Sequence, residues 1–195
     1  MKMTPHSDLT ALVLAGGKST RFGADKARHA LDGRAMLERV VEAVAPVAEA
    51  VLIGVGQAGV DYGVPAARQV VDRVGDAGPL AGLHAGLAEA ETPWLLVVAC
   101  DMPFITPEVL QALLTARGPE VEAVVAQTPD GRSHPLCACY HQNTLSTVEA
   151  HLAAGALAMH ALLDRLKNVR FVDLPARPLR NVNRPSDLDR SENTI

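Results

Sequence analysis

Three stretches of the chain are apolar without alternation: ALVLA at 11–15, AVLIGV at 50–55 and WLLVVAC at 94–100. A strand with one wet face alternates apolar and polar residues, so unbroken runs predict strands buried on both faces. A sheet covered by helices on each side meets that demand, and such sheets are largely parallel. The intervening segments carry the helical period. Leu37, Val40, Val41 and Val44 recur at that spacing and predict a helix from Ala35 to about Val47. Composition agrees: 48% of residues are hydrophobic but only 3% aromatic, a small-aliphatic core suited to helices on a buried sheet.

The rest of the chain continues the alternation. RQVVD at 68–72 reads as a shorter strand ending in an acid. Gly78-Pro79 opens a helix, PLAGLHAGLAEAE, with proline at its first position. Thr106-Pro107-Glu108 combines an N-cap, a proline at N1 and an acid at the positive end of the helix dipole. That helix is expected to stop at Gly118-Pro119. EAVVAQ at 122–127 and LCACY at 136–140 flank a polar turn with Asp130-Gly131 and predict a strand pair. Helices around 143–154 and 158–166 follow, then a strand, VRFVDL, at 169–174 and a short terminal helix from Pro185-Ser186. With no repeat or linker, residues 1–195 are read as one domain. The fold class is α/β, with a mostly parallel sheet and one antiparallel excursion late in the chain.

Several function classes are excluded at this level. A formal net charge of −4 and no Lys/Arg run argue against a nucleic-acid or membrane-surface binder. No apolar run is long enough to span a membrane, and the first ten residues lack a signal-peptide core. Cys100, Cys137 and Cys139 form no CxxC pair and read as small buried residues in a reducing compartment. The expected location is the cytoplasm.

In open sheets of this type ligands bind beyond the carboxyl ends of the strands. Three features fall there and converge on one edge: a glycine loop after the first strand, Asp72 after the third and Asp101 after the fourth. The loop, LVLAGGKSTRFGADK at 12–26, stops an apolar run at Gly16-Gly17 and then adds Lys18, Arg21 and Lys26. Glycines let the backbone approach a ligand, successive N–H groups cradle anions, and three cations over a short span match a polyphosphate. The loop is neither GxxxxGK[ST] nor GxGxxG. Taken alone, the two glycines fit an ordinary strand-to-helix turn as readily as a phosphate loop. Asp101, carried by a rigid strand, has the hard oxygens that suit Mg²⁺ shared with phosphate oxygens and water. Asp101 alone could equally cap the following turn. No Ser-His-Asp or Cys-His arrangement points to a covalent intermediate.

LAGGKSTRFGADK resembles the LAGGxSxRMGxDK signature of the nucleotidyltransferases that make the molybdenum cofactor dinucleotide, and within them the guanylyltransferases of molybdopterin-guanine dinucleotide synthesis. GPLAG at 78–82, CDMP at 100–103, HPL at 134–136 and NVNRPSDL at 181–188 match in order, so the resemblance spans residues 12 to 188. It implies the Rossmann-like three-layer α/β/α sandwich of nucleotide-triphosphate transferases. It also implies GTP and molybdopterin as substrates and Mg²⁺ as cofactor. Residues 10–105 would be mainly nucleotide-binding and 120–190 mainly acceptor-binding. By the same resemblance Leu14, Ala15, Gly16, Gly17, Lys26, Asp72, Gly78, Gly82 and Asp101 would bind the nucleotide. Arg21, Lys26 and Asp101 would be catalytic, with Asp101 on the metal. Asn181, Asn183, Arg132 and His134 would meet the acceptor, and His84 is the further histidine placed to face the cleft. Molybdenum-insertion proteins or apo-molybdoenzymes are the candidate protein partners.

Gly54 departs from the pattern, standing about where these guanylyltransferases commonly carry an asparagine. Base choice therefore stays open between GTP and CTP. The further alternatives are another nucleotidyltransferase of this superfold and a non-catalytic nucleotide-binding module.

Overall fold

The computed structural model describes residues 4–16, 26–183 and 187, and the unbroken apolar runs form the middle of a seven-stranded sheet. β1 (His6–Leu14) lies at its centre, between β4 (Ala48–Val55) and β6 (Trp94–Ala99), and both neighbours run parallel to it. β5 (Arg68–Val71) closes one edge, parallel to β4. Beyond β6 the order continues through β8 (Ser133–His141), β7 (Ala123–Gln127) and β9 (Val169–Asp173). β8 is antiparallel to both its neighbours, whereas β9 is parallel to β7. The expected antiparallel excursion is thus β8 alone.

Side-chain alternation sorts the core into two layers, one on each face of the sheet. From β1, Leu9, Ala11 and Val13 pack with α1 (Met36–Val44) and α3 (Pro107–Leu114). Leu12 and Leu14 face the other way, onto α2 (Pro79–Glu89), α4 (Leu145–Ala153) and α5 (Met159–Leu163). β6 divides likewise, with Leu96 and Val98 on the first face and Leu95 and Val97 on the second. This is the three-layer α/β/α arrangement. Chain order winds from β1 outward through β4 to β5 and then crosses to β6 on the far side of β1. The strand order therefore reverses between β1 and β6, and the crevice beyond their carboxyl ends is where such a fold takes ligands.

Several boundaries differ from expectation for physical reasons. β1 begins at His6, because its polar start is drawn into the ladder by His6 N donating to Val47 O at 2.9 Å. α1 ends at Val44, since Pro46 cannot continue a helix, and β4 follows at Ala48. α3 stops at Leu114, well before Gly118; its predicted cap is present, with Thr106 accepting from Val109 N. A two-stranded hairpin, β2 (Ala30–Leu31) with β3 (Arg34–Ala35), precedes α1 and was not expected. The helix expected from Pro185-Ser186 lies outside the described residues.

α2 approaches the sheet closely. A Cβ on Gly82 would sit 2.5 Å from Leu14 Cδ2, and one on Gly86 2.5 Å from Leu12 Cδ2. The missing side chains let the helix lie this near β1 without displacing Leu14 or Leu12, and its amino end at Gly78-Pro79 lies against the crevice.

Candidate active site

At the carboxyl end of β1 the chain turns across β4, and Ala15 N and Gly16 N both donate to Gly54 O, at 3.0 and 3.1 Å. The turn forms one wall of a cavity of about 230 Å³. Leu14, Ala15, Gly16, Lys26, Asp72, Gly78, Gly82 and Asp101 all line it. Residues from three strand ends and a helix start therefore meet at one place. Gly17 and Arg21, and with them Lys18, lie outside the described residues.

Asp101 lies two residues beyond the end of β6 and is the centre of the polar network. Lys26 Nζ donates to its Oδ2 at 2.7 Å and Asn181 Nδ2 to its Oδ1 at 2.7 Å. Lys26 also donates to Asn183 Oδ1 at 2.7 Å. The backbone joins in, because Val182 N donates to Asp101 O at 2.8 Å and Cys100 N to Leu14 O at 3.0 Å. The side chains of Asn181 and Asn183 were read as facing the acceptor. Both border the larger cavity described next, but their amides are spent on Asp101 and Lys26. Asp101 supplies one carboxylate, and among the described residues no cluster of three His, Cys, Asp or Glu accompanies it. Such a donor set fits a Mg²⁺ ion that takes its remaining ligands from phosphate and water.

A second cavity, of about 800 Å³, lies on the other side of this network. Its walls include Arg132, His134, Arg177, Arg180, Asn181 and Asn183, among them the two hairpin residues expected to meet an acceptor. His134 is buried. Burial, and then the Arg132 charge, hold its imidazole below the usual histidine range. Its Nε2 has no hydrogen-bond partner among the described residues. The two cavities thus meet at Lys26, Asp101, Asn181 and Asn183. His84 does not join either: its Nε2 is 3.6 Å from Glu149 Oε1 on α4, and it lines neither cavity. The expectation that it faces the cleft is corrected by the turn of α2 that points it across at a neighbouring helix.

Sequence reasoning missed Leu136, which reaches the smaller cavity from β8. β8 is antiparallel, so its first residues arrive at the edge where the other strands end. Its pairing with β7 also slips, from Val125↔Ala138 to Ala126↔His134, and the residues between bulge at Pro135. Tyr140 Oη donates to Pro135 O at 2.8 Å and holds the bulge from below. His134 then borders the larger cavity and Leu136 the smaller. A proline immediately before the strand predicted at 136–140 was the available signal.

Asp72 is a half-buried acid on the wall of the smaller cavity, and desolvation raises its carboxyl from 3.8 to about 6. Between those values the folded protein keeps a proton that the unfolded chain has released. Stability therefore falls as pH rises through the window, and the penalty is complete above about pH 6. Asp72→Asn is expected to stabilise the ligand-free protein at pH 7.5 by at most ~1 kcal/mol, after allowance for solvent screening, and by nothing near pH 4. Urea unfolding at both pH values checks this, and equal gains at the two would contradict it.

A doubly wound sheet with a small glycine-walled cavity at its switch point, a lysine and a metal-competent carboxylate is the arrangement of the nucleotide-triphosphate transferase class. The family model for the MobA-like NTP transferase domain matches residues 11–169, and the chain belongs to that family. It is 33% identical, over 96% of both chains, to the molybdenum cofactor guanylyltransferase of Desulfosudis oleivorans. Among solved structures it is similar to the molybdopterin-guanine dinucleotide biosynthesis protein A of Archaeoglobus fulgidus. That match has a TM-score of 0.73 and 27% identity, covering 94% of this chain and 96% of the other. The 2-C-methyl-D-erythritol 4-phosphate cytidylyltransferase of Thermus thermophilus shares the fold at a TM-score of 0.72 and 20% identity, covering 93% and 96%.

Proposed function

We propose that this chain transfers GMP from GTP to the terminal phosphate of molybdenum-molybdopterin, releasing pyrophosphate and forming the guanine dinucleotide. The observation that carries the reading is the Lys26–Asp101–Asn181–Asn183 network standing between a small glycine-walled cavity and a larger basic one. One cavity is suited to a nucleoside triphosphate and the other to a phosphorylated acceptor. The acceptor phosphate is already an anion, so transfer needs no strong general base. The protein's part is positioning and charge stabilisation. Gly16 brings backbone close to the triphosphate, the amino end of α2 presents its positive dipole end, and Lys26 offsets charge on the phosphates. Asp101 would hold Mg²⁺, which when bound lowers the charge at the α-phosphate. Gly17 in the cradle and Arg21 as a second cation complete the assignment, both outside the described residues. Asp72 offers an acceptor to donors on the nucleoside.

On this reading residues 10–105 serve mainly the nucleotide and 120–190 mainly the acceptor, with Leu136 crossing over. Arg132 and His134 are assigned to the acceptor. Arg132→Ala is expected to raise the acceptor KM about tenfold, the size of one charge-assisted contact, while the GTP KM stays unchanged. Steady-state kinetics with each substrate varied in turn checks this. The cytoplasm, where the three buried cysteines stay reduced, is the assigned location. Among the described residues no helix is long and apolar enough to cross a membrane. Molybdenum-insertion proteins or apo-molybdoenzymes are the assigned partners.

Gly54 lines the nucleotide cavity without a side-chain amide, which keeps CTP as the second reading; the guanylyltransferase name of the relatives favours GTP. The test is Mg²⁺-dependent pyrophosphate release with molybdopterin and each of GTP, CTP, ATP and UTP. Release with GTP is expected. Preference for CTP overturns the base assignment, and release with none of the four leaves a binding module.

A further inference from the structure

Asp101 does not face the nucleotide cavity as a bare carboxylate. Oδ2 is taken by Lys26 Nζ and Oδ1 by Asn181 Nδ2, each at 2.7 Å. Lys26 is fixed from its other side by Asn183 Oδ1 at 2.7 Å, and the Asn183 backbone N–H is anchored on Asp187 Oδ2 at 2.8 Å. The Lys26 and Asp101 side chains are only 15% and 17% exposed, so water and salt screen the pair far less than a surface ion pair.

We propose that Lys26 occupies the cation position at Asp101, that Asn183 is the positioning residue holding it there, and that nucleoside triphosphate and divalent metal consequently load together. The proposal rests on reading this edge as the triphosphate and metal site. A divalent ion reaching Oδ2 competes for that oxygen with an ammonium group at hydrogen-bond distance. Bound there, it weakens the Lys26 ion pair and lies beside the lysine charge, an arrangement of like charges at short range. The oxygens of a triphosphate relieve both costs, giving Lys26 a new anionic partner and the ion its remaining ligands. Each ligand thereby favours the other, and the coupling is reciprocal. Asn183 is exposed and touches Lys26, so the segment that borders the acceptor cavity also sets how tightly the nucleotide side is held closed.

The probe is Mn²⁺, titrated by electron paramagnetic resonance into the full chain without nucleotide. Asn183→Ala leaves the charges of the pair in place and loosens only the clasp. It is expected to tighten Mn²⁺ binding about threefold, and Lys26→Met about tenfold or more, the latter within the usual range of such couplings. Adding Asp101→Asn to either is expected to remove the gain. If Lys26→Met tightens binding but Asn183→Ala does not, Lys26 acts only as a nearby charge and the proposal fails. It fails equally if wild type binds Mn²⁺ as tightly as both variants. The same titration with GTP present separates the two levels. No Asp101-dependent Mn²⁺ binding with GTP overturns the site reading, and the proposal with it. Asp101-dependent binding with GTP, together with no effect of either variant, overturns the proposal alone.

Discussion

Asp101→Ala and Lys26→Ala are each expected to lower guanylyl transfer by about 10³-fold or more while the protein stays folded, because on the proposed mechanism each removes charge aimed at the reacting phosphates. The two side chains form one 2.7 Å ion pair, so their effects should not add. Stability separates them from ordinary structural residues. Each single change leaves one charge behind in a mostly buried setting and is expected to destabilise by ~1–3 kcal/mol, below the range for a fully buried pair. The double variant removes both charges and is expected to be more stable than either single variant, yet no more active. Urea unfolding and single-turnover transfer on all four proteins check this. Substantial transfer retained by the double variant would sink the mechanism.

What the sequence made legible follows from what local pattern encodes. Unbroken apolar runs announce a sheet covered on both faces, and the rule that ligands sit at strand carboxyl ends then brought Gly16, Asp72 and Asp101 to one edge before any contact was known. Gly78 and Gly82 were legible through the motif, although the reason for Gly82, a helix packed against Leu14, was not. Pairings between distant segments were out of reach. Nothing local says that Asn183 meets Lys26, 157 positions away, or that Asn181 meets Asp101. The resemblance placed both asparagines at the cleft, and only the fold turned their amides towards the nucleotide side. Leu136 was hidden for a related reason: a bulge at Pro135 shifts register, and register is a property of two strands together. The β2–β3 hairpin, in contrast, had a readable signal, since Asp32-Gly33 is a two-residue hairpin turn and both residues have positive φ.

Gly16→Ala tests whether the phosphate turn is set by contact with β4. A Cβ there would fall 2.5 Å from Gly56 N, 3.0 Å from Gly56 Cα and 3.3 Å from Val55 C. These are backbone atoms, and no rotamer change relieves the overlap. Either the end of β1 or the end of β4 must move, and the paired bonds from Ala15 N and Gly16 N to Gly54 O move with it. Overpacking of this kind costs ~1–3 kcal/mol. Activity should suffer more than stability, because a misplacement near 1 Å at a positioning group costs about 10²-fold in rate. Gly82→Ala is the informative comparison. Its new methyl meets Leu14 Cδ2, the far end of a flexible side chain, so Leu14 can swing aside and the stability loss should stay near or below ~1 kcal/mol. Thermal unfolding and kcat/KM for GTP, measured on both variants, give the answer. If Gly16→Ala keeps wild-type Tm and kcat/KM, the turn tolerates displacement and the close approach to β4 does not set the triphosphate site. If Gly82→Ala is the more damaging of the two, the seat of α2 matters more to nucleotide binding than the turn itself.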